Sequence, residues 1–268
     1  MMLKLPDKGE LYYEIHGDKG PWVVFLNGIM MSTASWAGLK DHMEKDYRLL
    51  LIDFRDQGKS SKMEESQYTW KIHVDDLIAL LDHLKIEKIN MLGVSYGGQV
   101  ALEFTRNHQD RLASLLLVNV IPKVTKYLKA ISDSWELAAA MNSGSDFFTI
   151  SIPPIYSDVF YESNFSWLQK RQDIFEDMLT KEWFEGFTRL SKSAKDFDCS
   201  DLLEKIKVST LVLSAERDIL TPAEHMKEMA SKIEKSIYLQ IPNAGHAAFL
   251  EKQMEFLTVV KGFLSIYA

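Results

Sequence analysis

Short, almost wholly apolar runs recur along this chain, separated by polar loops and helix-forming stretches. Trp22-Val23-Val24-Phe25-Leu26 is apolar throughout, and Tyr47–Asp53, Ile89–Val94, Leu112–Val118 and Val208–Ser214 are mostly so. A strand with one wet face alternates apolar and polar residues; a continuous apolar run fits a strand covered on both faces, as in a parallel sheet. Leu11–Ile15 reads as an earlier strand closed by Gly17 and Gly20-Pro21, and Ser236–Ile241 as a late one. Helical patterning falls between them, over about 35–44, 69–84, 96–108 and 222–232, with a last helix after His246 to about Leu264. In the second of these Ile72, Val74, Leu77, Leu80 and Leu81 make the buried face. Strands alternating with helices predict βαβ units: an α/β protein with a mainly parallel central sheet and helices on both faces.

The rhythm breaks between about Ile121 and Ser200. Helical segments continue there, no buried strand is evident, and large rings crowd together, among them Trp135, Phe147, Phe148, Trp167, Phe184 and Phe187. Such a stretch is too long for a plain connection, so it reads as a helical cap with a small core of its own. The expected organisation is a core of residues 1–120 and 201–268 with a cap inserted over 121–200.

A chain of 268 residues can bury a large core, and 46% hydrophobic with 26% charged residues is ordinary for a soluble globular protein. A net charge of -7 with mixed signs leaves no basic face for nucleic acid. The single cysteine, Cys199, permits no internal disulfide and suits a reducing compartment. No apolar signal region opens the sequence and no apolar run is long enough to span a bilayer, so a cytoplasmic location is expected. No Gly-x-Gly-x-x-Gly fingerprint or phosphate loop is present, and no cluster of His, Cys and carboxylates stands out; no cofactor and no metal are expected.

Chemistry concentrates at three predicted strand ends. The run Ile89–Val94 passes through Gly93-Val94-Ser95-Tyr96-Gly97 directly into a helix. A Gly-x-Ser-x-Gly segment in that setting forms a sharp strand-to-helix turn with the hydroxyl at its apex and free helical N–H groups beside it. Asp218 follows the strand ending at Ser214, and His246, in Pro242-Asn243-Ala244-Gly245-His246, follows the strand ending at Ile241. Open α/β sheets gather ligands at these ends.

With Ser95, Asp218 and His246 in that order, the sequence resembles the α/β-hydrolase superfamily, in particular its capped serine esterase and lipase-like members. The resemblance covers nearly the whole chain and implies a role for each residue. Ser95 is the nucleophile, His246 the general base and then acid, and Asp218 the carboxylate that orients the imidazole. Chemistry asks for the same division: a neutral serine hydroxyl is a poor nucleophile without a base in reach, and imidazole can take and return its proton. The resemblance also implies two backbone donors to a developing oxyanion, Tyr96 just after the nucleophile and Ile29 in the loop after Trp22–Leu26. Relatives commonly carry His-Gly before the second donor; here the pair is Asn27-Gly28. Asp53-Phe54-Arg55-Asp56-Gln57-Gly58-Lys59-Ser60 resembles the family's Asp-x-Arg-Gly-x-Gly-x-Ser turn, with Asp56 where glycine is commoner, and reads as structural.

Substrate preference must come from the cap and rim. Met30, Met31, Trp135, Trp167, Ile219 and Leu220 are the candidate pocket residues, and their apolar character points to a small or medium, largely apolar ester. Thioester, lactone and carbon–carbon bond hydrolysis of the meta-cleavage type would use the same residues. A non-enzymatic receptor for a small ligand on this fold is the alternative from a different class. Haloalkane dehalogenases and epoxide hydrolases carry an aspartate at the position of Ser95 and do not fit. The expected partner is a small molecule, with no nucleic acid and no membrane span.

Overall fold

The computed structural model describes residues 1–64 and 68–268. Eight strands form one sheet: β1 Met2–Lys4, β2 Glu10–His16, β3 Trp22–Leu26, β4 Arg48–Ile52, β5 Ile89–Val94, β6 Leu112–Val118, β7 Ser209–Ala215 and β8 Ser236–Ile241. They lie in the order β1-β2-β4-β3-β5-β6-β7-β8, with the first two antiparallel to their neighbours and every other pairing parallel. The order reverses around β3 and β5, and the loops from both meet where a parallel sheet places its ligands.

Alternation along each strand assigns side chains to two faces. Val24, Leu50, Met91, Leu115 and Val212 bury one face against α2 Trp70–His83, α3 Tyr96–His108 and α9 Ala223–Ser231. Val23, Leu49, Leu92, Leu116 and Leu211 bury the other against α1 Ala37–Met43 and α11 Gln253–Tyr267. This double burial is why the central strands read as almost wholly apolar runs, each fully buried Leu or Val contributing roughly 1.5–3 kcal/mol. The edge strand β8 differs: Ile237 and Leu239 remain exposed.

Sequence patterning misses three details. The three-residue β1 buries only Leu3 and carries no periodicity. The helix expected over 35–44 begins as a 3₁₀ turn at Thr33–Trp36 before α1. The last helix is two, α10 Ala248–Glu251 and α11, broken at Lys252.

Between β6 and β7 the chain makes five helices: α4 Lys126–Ala140, α5 Gly144–Ser151, α6 Asp158–Ser163, α7 Phe165–Met178 and α8 Lys181–Ala194. Backbone bonds from Val124 N to Phe197 O and from Cys199 N to Pro122 O close the neck of this insertion. Its rings form two clusters. Trp135, Phe147, Phe184 and Phe187 pack with Leu220 from the loop after β7, and Ile29 and Met30 from the loop after β3 pack against them. Phe148, Ile152 and Leu168 form the second cluster, away from those loops. Among the described residues no helix is long and apolar enough to cross a membrane.

Candidate active site

Ser95 sits between β5 and α3 with φ 54° and ψ −116°, a conformation L side chains rarely adopt. The turn is enforced by its surroundings. A Cβ on Gly97 would lie 2.3 Å from Leu26 O, so only glycine lets α3 start against the end of β3. Ser95 N donates to Val118 O at 2.9 Å, fastening the elbow to β6.

His246 is brought to the same strand end. The side chain of Asn119, the residue after Val118, donates from Nδ2 to His246 O at 2.7 Å. Ala247 N donates to Ile155 O of the insertion at 3.2 Å, and the loop passes so close to Tyr156 and Ser157 that a Cβ on Gly245 would lie 2.4 Å from Ser157 N. Asp218 enters from the neighbouring loop, where Glu216 N bonds Ile241 O and Arg217 N bonds Ala244 O.

The imidazole Nδ1 of His246 lies 2.7 Å from Asp218 Oδ2. Asp218 also accepts from Leu220 N at 2.8 Å, Thr221 N at 3.0 Å and Thr221 Oγ1 at 2.6 Å. Burial alone would raise its pKa, but the charge and hydrogen bond of His246 and the bonds from Thr221 outweigh it, and the carboxyl lies below its ordinary value. An ionised Asp218 places the ring proton on Nδ1 and leaves Nε2 as the acceptor. Thr221 was not singled out by the sequence; its position three residues after the acid, before Pro222, is the only local signal.

The loop after β3 is held from beneath. Asn27 Nδ2 donates to Ile52 O at 2.8 Å, and its Oδ1 accepts from Trp36 Nε1 at 2.7 Å. Gln57 Nε2 donates to Gly28 O at 2.9 Å and Ile29 O at 3.3 Å. The Gly28 carbonyl and the Ile29 N–H share one trans peptide plane, so anchoring the oxygen turns the N–H the opposite way. Tyr96 is the first residue of α3 and its N–H has no intrahelical acceptor. The amide at Asn27 thus keeps a buried anchoring role, and Gln57, read only as part of a structural turn, is what holds the Ile29 peptide.

Tyr96 is fastened through its side chain as well. Its hydroxyl lies 3.0 Å from His73 Nε2 and 2.9 Å from Ser193 Oγ, which itself donates to Leu190 O. The consistent arrangement runs from His73 Nε2–H to Tyr96, from Tyr96 to Ser193, and on to the α8 backbone. Burial drives the His73 pKa down to about 3, with Arg55 adding to the shift, so the imidazole is neutral. A second link joins core to insertion at Asp56 (φ 69°), whose carboxylate accepts from Arg189 of α8 at 2.7 and 3.0 Å. The aspartate that stands where glycine is commoner therefore has its own cation. Arg55 points away, into a buried bidentate pair with Asp76 of α2 at 2.7 Å.

A cavity of about 60 Å³ opens beside Ser95. Ile29, Tyr96 and Gln99 wall it from the core; Leu128, Ser132 and Trp135 are among its walls from the insertion. The candidate pocket residues divide. Trp135 lines this cavity, and Met30 and Leu220 back it through the shared apolar cluster. Trp167 does not: it is partly exposed on α7 against Tyr156 and Phe160, with the Arg171 guanidinium over its ring. Met31 packs into the sheet core and accepts from Gly28 N through its sulfur, and Ile219 is exposed and absent from the cavity wall. Sequence could not separate these, because an apolar residue in a loop or an insertion helix looks the same whether it faces the site or the outside.

Residues 21–141 and 122–253 match the sequence profile of the alpha/beta hydrolase fold, and the chain belongs to that family. It is 36% identical to MGS-M2, an alpha/beta hydrolase enzyme from a Medee basin deep-sea metagenome library, over 99% of this chain and 97% of the other, with a TM-score of 0.95. It is 26% identical to a proline iminopeptidase of Lactobacillus helveticus over 97% of this chain and 96% of that protein. The enol-lactonase of Burkholderia xenovorans LB400 shares the fold, with a TM-score of 0.88 at 24% identity, covering 99% of this chain and all of that one.

Proposed function

We propose that this protein is a serine hydrolase that cleaves a carboxylic ester through an acyl-enzyme, with residues 121–200 acting as a cap over the site. The observation that carries the reading is the 2.7 Å Asp218–His246 pair, tied through Asn119 to the strand end that also fastens a serine on a positive-φ elbow. Ser95 Oγ attacks the carbonyl carbon as its proton passes to His246 Nε2. Asp218 stabilises the resulting imidazolium, and the negative oxygen is received by the N–H groups of Ile29 and Tyr96. His246 then protonates the departing alcohol, activates water, and the acyl-enzyme is hydrolysed. Proton transfer of this kind contributes about 10²–10⁴ in rate, and each oxyanion donor about 10²–10³.

The family match supports hydrolase chemistry, while the relatives' activities, proline iminopeptidase and enol-lactonase among them, differ too much to carry a substrate across. The apolar walls around Ser95 suit an uncharged acyl group, and a simple ester is the substrate class proposed for them. The test is a panel of acyl esters, thioesters, lactones and diketone ring-fission products assayed beside Ser95→Ala. Ester turnover that the substitution abolishes is expected; turnover unchanged by it would refute the mechanism.

A further inference from the structure

Two buried polar atoms at the cavity wall have no partner among the described residues. Gln99 and Trp135 are each 6% exposed, and Gln99 Oε1 and Trp135 Nε1 make no hydrogen bond. Buried polar groups are nearly always paired, and two of complementary type on the wall of one cavity can take their partner from a ligand bound there. Gln99 lies one helical turn beyond Ser95, its N–H bonded to Ser95 O, so its side chain rises from the same face of α3 as the nucleophile. Trp135 comes from α4 across the cavity. One atom is an acceptor, the other a donor.

We propose that Gln99 and Trp135 form a subsite for an uncharged hydroxyl on a short acyl chain, the hydroxyl donating to Gln99 and accepting from Trp135. The proposal rests on the serine hydrolase reading and names the substrate class for it. Size sets the chain length: 60 Å³ holds roughly four water-sized groups, enough for an acyl chain of a few carbons. Direction follows from the base. The leaving alcohol must lie beside His246, which protonates it, and His246 is not a wall of this cavity, so the cavity takes the acyl side.

Charge argues for a neutral group. The cation at the cavity wall, Lys195, is already bonded to Asp133 at 2.6 Å and Glu136 at 2.8 Å. With its charge met by two carboxylates that lie outside the wall, Lys195 offers no free cation to an acyl chain ending in a carboxylate.

The test compares kcat/KM for three p-nitrophenyl esters, butyrate, 3-hydroxybutyrate and the succinate half-ester, in the full-length protein and in Gln99→Met and Trp135→Phe. The 3-hydroxybutyrate ester should exceed butyrate about tenfold, with the succinate half-ester below butyrate, and the hydroxyl preference should fall toward unity in both variants. The ratio is taken within one enzyme sample, so partial misfolding of a variant cancels. A wild-type ratio near one, or a preference that survives both substitutions, overturns the subsite. If Ser95→Ala abolishes cleavage while the ratio is flat, the hydrolase reading stands and the subsite alone fails; if Ser95→Ala leaves cleavage intact, both fall.

Discussion

Gln57 offers a sharp test of how the proposed oxyanion loop after β3 is held. Its buried amide donates to Gly28 O and Ile29 O and accepts from Asn27 Nδ2 at 3.2 Å and Phe54 N at 3.3 Å. Gln57→Met keeps the length and removes all four bonds. Several partners keep an alternative: Gly28 O still receives Met31 N at 3.1 Å, and Asn27 Nδ2 still reaches Ile52 O. Phe54 N and the partly buried Ile29 O are the groups stranded, so the stability cost should be about 1–3 kcal/mol, the price of one orphaned donor and one orphaned acceptor. The effect on catalysis should be larger than on binding. Losing an oxyanion donor outright costs about 10²–10³ in kcat, and loosening the plane that aims it should cost about tenfold. The assay is steady-state hydrolysis of p-nitrophenyl butyrate beside thermal unfolding. A fall in kcat with KM nearly unchanged is expected. A rise in KM at constant kcat, or a lower Tm with unaltered kcat, would show that Gln57 merely packs.

Three further perturbations probe the scaffold around the site. Ser95→Gly should abolish turnover yet stabilise the fold by about 1 kcal/mol in denaturant titration, because glycine relieves a strained φ of 54°; a loss of stability would contradict that strain. Arg189→Met leaves the fully buried Asp56 carboxylate unpaired and should cost about 3 kcal/mol, whereas Asp56→Gly should cost less, since glycine suits φ 69° and the guanidinium retains a path to water; equal losses would contradict the asymmetry. His73 is held neutral in the fold down to about pH 3 while its unfolded form gains a proton below about 6.5. Acid therefore favours the unfolded state across that window, and between about pH 7.5 and pH 5 this residue should remove about 2 kcal/mol, a penalty that His73→Gln abolishes. Matching pH slopes in the two proteins would refute it.

The central strands were readable because burial on both faces removes nearly all polar positions, as in Trp22–Leu26 and in Leu112–Val118, where only the buried Ser114 interrupts the run. The Ser95 elbow was readable for a related reason: a helix starting this close to its strand requires glycine at positions 93 and 97, where a Cβ would collide with backbone. Side chains that act over long separations left no such trace. Asn119 holds His246 from 127 residues away, and Arg189 meets Asp56 across 133. Neither pairing has a local pattern, and the departure from glycine at Asp56 was the only visible hint of its partner. Trp135 and Trp167 looked equivalent for want of a rule that says which face of an insertion helix turns inward.

The central claim is that Ser95 is a nucleophile activated by His246. A fluorophosphonate probe followed by peptide mass spectrometry tests it most directly. One adduct per chain, on the peptide carrying Ser95, absent in Ser95→Ala and slowed at least about 100-fold in His246→Ala, is the predicted result. Labelling of a different serine, or labelling of Ser95 at an equal rate without His246, would contradict it.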